Sequence, residues 1–106
     1  MNEYRMELDG KYVLEKVNMV SRMLLVNGKG RTRDIPGRLG HITVSTDLTL
    51  DGLNTLVWDA ENYVKMKHDR NKARHGKKER GQAKALAVRG YTKQMRGILH
   101  KYGLEE

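Results

Sequence analysis

The stretch DGLNTLVWDAENYVKMK constrains the fold of this chain more than any other part of it. Leu53, Leu56, Val57, Ala60 and Val64 recur at spacings of three and four residues, and Lys67 continues the line. That period places them all along one side of an α-helix, whereas a strand would need alternation. Tyr63 lies beside the stripe, and Glu61 with Lys65 makes a supportive i, i+4 pair. The helix is expected to start near Thr49-Leu50-Asp51, to run into a strongly basic tract, and to weaken near Gly76. Trp58 falls off the centre of the stripe, where it either widens the buried face or serves a partner.

A second helical repeat, Val88, Tyr91, Met95, Ile98, Leu99 and Tyr102, predicts a helix over 82–102. Gly103 stands where a left-handed C-cap belongs, and Leu104 is placed to fold back on Leu99 in a Schellman ending. Gly90 and Gly97 each cost about 1 kcal/mol relative to Ala inside a helix. Either they admit another backbone on one side, or Gly90 breaks the helix in two. The two C-terminal helices are expected to form an antiparallel hairpin that turns within 71–80.

The first part of the chain is mixed. Tyr4, Met6 and Leu8 alternate with Arg5 and Glu7, a short strand ended by Asp9-Gly10. In KYVLEKVNMVSRMLLVNG, Val13, Val17, Val20 and Leu24 keep helical spacing, and Leu14 and Met23 widen the stripe. Asp9 is expected to cap this helix and Asn27-Gly28 to give it a left-handed exit. Its valines and the Asp9-Gly10 turn leave a hairpin strand as the alternative. Ile35-Pro36-Gly37-Arg38 fits a type II turn. His41-Ile42-Thr43-Val44-Ser45 reads as a strand that pairs with residues 31–35 or with the N-terminal strand. No repeat of solenoid period occurs. The expected fold is α+β and mainly helical: one domain over 1–106, with a mixed part at 1–49 and a basic helical hairpin at 50–106. A two- or three-stranded sheet should pack on the first helix.

Charge carries the functional reading. The net charge is +8, and it is unevenly spread. Residues 1–64 hold eight basic and nine acidic side chains, while residues 65–106 hold thirteen and four. Within KMKHDRNKARHGKKERGQAK, nine Lys or Arg stand against Asp69 and Glu79. Lys65, Lys67, Arg70, Lys72 and Arg74 surround the end of one helix, and Lys77, Lys78, Arg80 and Lys84 carry the charge across to the next. A merely solubilising surface mixes signs. This one points to a polyanion, since each neutralised phosphate releases condensed counterions. The glycine-rich segment NGKGRTRDIPGR offers Lys29, Arg31, Arg33 and Arg38 as a second phosphate contact, against the plainer reading of an ordinary exposed loop. It is neither a Walker A loop nor a dinucleotide fingerprint, because the required Gly-Lys-Ser/Thr and third Gly are missing.

Other chemistries find little support. A helix-turn-helix echo in QAKALAVRGYTKQMRGIL puts Arg89 and Arg96 where buried apolar residues are needed. His68 and His75 are seven apart rather than the four of a helical zinc pair; His41 with Asp34 or Asp47 would suit a metal-dependent nuclease, but no acidic cluster lies at recognisable spacing. With no cysteine there is no disulfide, thiol nucleophile or thiolate-bound metal. No catalytic triad or carboxylate pair is recognisable, so no enzyme, cofactor or metal is expected. Trp58, Tyr91 and Tyr102 are aromatics able to stack on unpaired bases, but Tyr91 and Tyr102 lie on the apolar stripe and are expected in the core. With one Trp and five Tyr in all, backbone contact is expected over base reading. The N-terminus lacks signal-peptide features and the longest apolar run, Met23-Leu24-Leu25-Val26, is too short to cross a bilayer. A cytoplasmic protein is expected.

The sequence therefore points to a non-enzymatic accessory protein that binds DNA or RNA through a basic helical hairpin. The alternative is a small inhibitor or adaptor whose basic surface docks on an acidic, nucleic-acid-binding groove of a partner protein. Met66, Trp58 and Leu86 would then be its apolar anchors. Met-rich faces and helix glycines also permit a homodimer.

Overall fold

The structure, a computed structural model, describes residues 1–8, 10–33, 41–75 and 81–104. Alternating side chains build three antiparallel strands: β1 (Asn2–Glu7), β2 (Gly30–Arg33) and β3 (His41–Thr46), in the order β1-β3-β2. The middle strand β3 takes both expected partners, with Tyr4 and Thr32 each opposite Val44. Tyr4, Met6, Ile42 and Val44 turn toward the helices, joined by Leu8 just past β1. Glu3, Arg5, Glu7, Arg31, Arg33 and His41 occupy the opposite face. Burial of one face only fixes this register, because a slip by one residue would turn every apolar side chain outward. Gly30 is obligatory here. Its φ is 146°, and a Cβ would lie 2.0 Å from the Ser45 carbonyl oxygen.

Helix α1 (Val13–Val26) covers the inner face with Val17, Val20 and Leu24, and buries Met19 and Met23 as well. Leu14, expected on this stripe, is 57% exposed. The helix lies between the sheet and the next helix, so its buried arc widens toward Met19 and Met23 and away from Leu14. The start also differs from expectation. Tyr12 is the N-cap residue, left-handed at φ 66° and without a side-chain cap; Asp9 lies outside the described residues. The Tyr12 ring stacks on His68, with centroids 3.5 Å apart and planes at 4°. That contact helps offset the cost of the left-handed backbone.

Helix α2 (Leu50–His75) begins where Thr49 Oγ1 accepts the Gly52 N–H at 3.2 Å, and Asp51 complements the helix dipole in the first turn. Leu53, Leu56, Val57, Ala60 and Val64 are all buried, as their spacing predicts. Helix α3 (Gln82–Lys101) returns antiparallel along α2 and runs unbroken through Gly90 and Gly97. A helix-turn-helix bend at Gly90 is thereby excluded. Nothing lies within 4 Å of a Cβ built on either glycine, so among the described residues no other segment closes on them. The turn joining the two helices, at 76–80, lies outside the described residues, as does the type II turn expected at 35–38.

Both α1 and α3 end in Schellman motifs. Gly28 and Lys29 donate to Leu25 and Leu24 carbonyls at 3.1 and 2.9 Å; Gly103 and Leu104 donate to His100 and Leu99 at 3.1 and 2.8 Å. The two endings meet. The Asn27 amide donates to the Met23 carbonyl at 2.7 Å and to the Tyr102 carbonyl at 2.8 Å, satisfying one orphan acceptor on each helix. Leu104 then folds into a core formed by the sheet, α1 and the first half of α2. The result is a mainly helical α+β fold. Among the described residues, no helix is long and apolar enough to cross a membrane.

Candidate nucleic-acid interface

Burial along α2 stops at Val64, and Met95 is the one fully buried residue within α3. Residues 65–75 and 82–94 therefore stand outside the core as a two-helix arm, on a molecule with principal extents of 50 × 30 × 21 Å. The local cause is compositional. Past Val64 the apolar repeat gives way to Lys and Arg, whose heads stay in water.

The basic side chains on this arm do not all stand free. Lys67 pairs with Glu15 at 3.6 Å, and the same carboxylate meets His68 Nε2 at 2.9 Å. Half-buried Arg70 turns toward α3 and donates to Thr92 Oγ1 at 3.5 Å, while its Nε is buried without a partner. Lys65, Lys72, Arg74 and Lys84 have no ion pair among the described residues. Lys77, Lys78 and Arg80 lie outside the described residues. In the sequence Arg89 and Arg96 count only against a helix-turn-helix and not as phosphate contacts, yet with Lys84 and Thr92 they line a hollow of about 550 Å³ along α3. Their seven-residue spacing, two helical turns on one side, is the signal that would have found them.

The glycine-rich segment goes elsewhere. Lys29 sits at the end of α1, where its carbonyl accepts from Asp47 N–H at 2.9 Å and Thr46 Oγ1 at 2.7 Å. That is beside the start of α2, whose 26 residues make a helix about 39 Å long with His75 at its far end. Arg31 and Arg33 lie on the sheet face turned away from the helices, and Arg33 Nη1 donates to Glu3 Oε1 at 2.6 Å. Arg38 lies outside the described residues. Lys29, Arg31 and Arg33 thus do not share a surface with the arm.

A polar cluster invisible in the sequence anchors the arm at its base. Asp59, 7% exposed, accepts the Tyr102 O–H at 2.5 Å and the Lys101 ammonium at 2.9 Å. Burial, reinforced by the Asp59 hydrogen bond and charge, raises the Tyr102 phenol well above its ordinary value of 10.0. Below pH 10 the phenol keeps its proton in both states. Above it the unfolded chain gives up a proton that the folded chain retains, so this contribution to stability is lost as pH rises. The gap in urea midpoint between the wild type and Tyr102→Phe should accordingly narrow from pH 9 to pH 11; a constant gap would contradict this coupling.

Among the described residues, no three His, Asp or Glu side chains stand together as metal ligands would. Comparison of the chain with protein-family models, curated proteins and solved structures gives no match.

Proposed function

We propose that this chain is a non-enzymatic, cytoplasmic accessory protein that binds nucleic acid by gripping the phosphate backbone with the α2–α3 arm. What supports the reading is the arm itself: exposed Lys65, Lys72 and Arg74, with half-buried Lys84, have no ion pair among the described residues and stand on helical segments that contribute little to the core. Arg89, Lys93 and Arg96 extend the same charge along α3. A surface of this kind holds phosphates without reading bases.

The test is the salt dependence of binding to duplex DNA and RNA. With about six phosphates neutralised, affinity should fall about a thousandfold between 50 and 200 mM salt. Duplexes of scrambled sequence should bind equally well. An affinity indifferent to salt would overturn the proposal.

A second reading is favoured by two exposed apolar side chains, Leu86 at 64% and Trp58 at 65%. In it the chain is an inhibitor or adaptor, with these residues anchoring the basic surface on an acidic protein groove. Absence of DNA and RNA binding at low salt, with a nuclease-resistant stoichiometric complex with one acidic protein, would select it.

A further inference from the structure

Trp58 is held outward by its neighbours. Val57, Asp59 and Ala60 are buried around it, so the register of α2 leaves the indole 65% exposed in the anchored half of the helix. Tryptophan is normally among the better buried residues. Here it separates two hollows. One, of about 540 Å³, lies between α2 and α3 and is lined by Met66, Tyr91 and Ile98 with the amides of Asn62 and Gln94. The other, of about 440 Å³, lies between α2 and the segment entering α1 and is lined by Lys11, Tyr12, Lys65 and Lys72. Trp58, Asn62, Lys65 and Asp69 border both. With Lys72 they follow one another at spacings of four, three, four and three, a single line about 21 Å long on the outer side of α2.

We propose that this line is a binding site for single-stranded nucleic acid, in which an unpaired base stacks on Trp58 and the adjoining phosphates rest on Lys65, Lys72 and Lys11. The proposal rests on the nucleic-acid reading above and adds a base contact to it. Charge selects the occupant. Lys11, Lys65 and Lys72 carry no ion pair among the described residues. Lys16, at the same hollow, is engaged by Glu61 at 3.7 Å. Three ammonium groups with no ion pair among the described residues, beside one exposed indole, match the alternation of phosphate and base along an unpaired strand. Asp69 repels phosphate but accepts hydrogen bonds from base N–H groups, whether ring imino or exocyclic amino, as the Asn62 amide also can. The phosphates are thereby confined to the lysines and the base to the indole. A duplex hides its base faces and can use only the lysines.

Because Trp58 is the chain's one tryptophan, its fluorescence reports on this site alone. The full chain is titrated at low salt with oligodeoxyuridylate, oligouridylate, a duplex of equal phosphate number, and heparin, while binding is followed separately by anisotropy. Both single strands should quench the indole strongly, and heparin and duplex should bind without comparable quenching. A preference between the two strands distinguishes DNA from RNA as the source of the base. Trp58→Ala should weaken single-strand binding about tenfold to a hundredfold and leave duplex binding unchanged, with Trp58→Phe retaining most of the affinity. Binding of every polyanion with no quenching, or equal quenching by heparin, overturns the stacking site and leaves the phosphate-gripping arm standing. Failure to bind any nucleic acid overturns both; indole perturbation only by an acidic protein would assign the site to the inhibitor reading.

Discussion

A variant carrying Lys65→Glu, Lys72→Glu and Arg74→Glu together is expected to lose nucleic-acid binding at physiological salt while keeping its fold. All three side chains are exposed, lie past the last buried residue of α2 and have no ion pair among the described residues. Their reversal therefore removes nothing from the core, and circular dichroism and the thermal midpoint should change little. Neutralisation to Gln gives the graded version. The slope of log affinity against log salt should fall by about one for each residue that contacts a phosphate, hence by about three for the triple variant. Arg33→Glu is the contrasting control, since Arg33 sits on the far face of the sheet and already engages Glu3. Unchanged binding by the triple Glu variant would sink the assignment of the arm.

Asp59→Ala should produce the largest change in stability of any single charged residue, because nearly all of this carboxylate is withdrawn from water. It removes the acceptor of the Tyr102 hydroxyl and of Lys101 at once. The Lys101 side chain is 55% exposed, so its ion pair contributes little. Most of the loss comes from the Tyr102 bond to a charged acceptor, about 2–3 kcal/mol. For a chain of this size that corresponds to a drop in Tm of roughly 10–20 °C. The loss should also be local. Within α3 only Met95 is fully buried, so hydrogen exchange should rise first along α3 and later in the sheet and α1. Uniform acceleration across all elements would show instead that α3 and the sheet unfold as one unit.

The parts of the fold that were legible in sequence are those set by local spacing. The stripe from Leu53 to Val64 and the alternation in β1 and β3 each repeat at the period of their own element, and the Gly103-Leu104 ending is a local cap signal. What escaped depends on contacts far apart in the chain. Nothing near Asp59 announces Tyr102, 43 residues on, and nothing near Asn27 announces a carbonyl 75 residues away. Leu14 was misplaced because spacing gives the centre of a helix face but not which flank the neighbouring helix will cover. At the candidate site, composition located the basic arm but could not sort its charges. Glu15 takes up Lys67, Thr92 draws in Arg70 and Glu3 takes up Arg33, each through tertiary geometry alone. The exposure of Trp58 lay between the two: its offset from the stripe was visible, whereas the hollows on either side needed the second and third helices in place.

The arm has one more consequence. Residues 1–64 carry a net charge of −1 and residues 65–106 one of +9, and the arm sets much of that positive charge apart from the body that holds the sheet. Such a molecule has a large electric dipole moment directed along the arm. In the field of a polyanion it experiences a torque as well as an attraction, and it turns arm-first before any side chain touches. Orientation during approach is then part of what the shape provides: fewer encounters are wasted on the near-neutral body, and the advantage fades as the Debye length shortens.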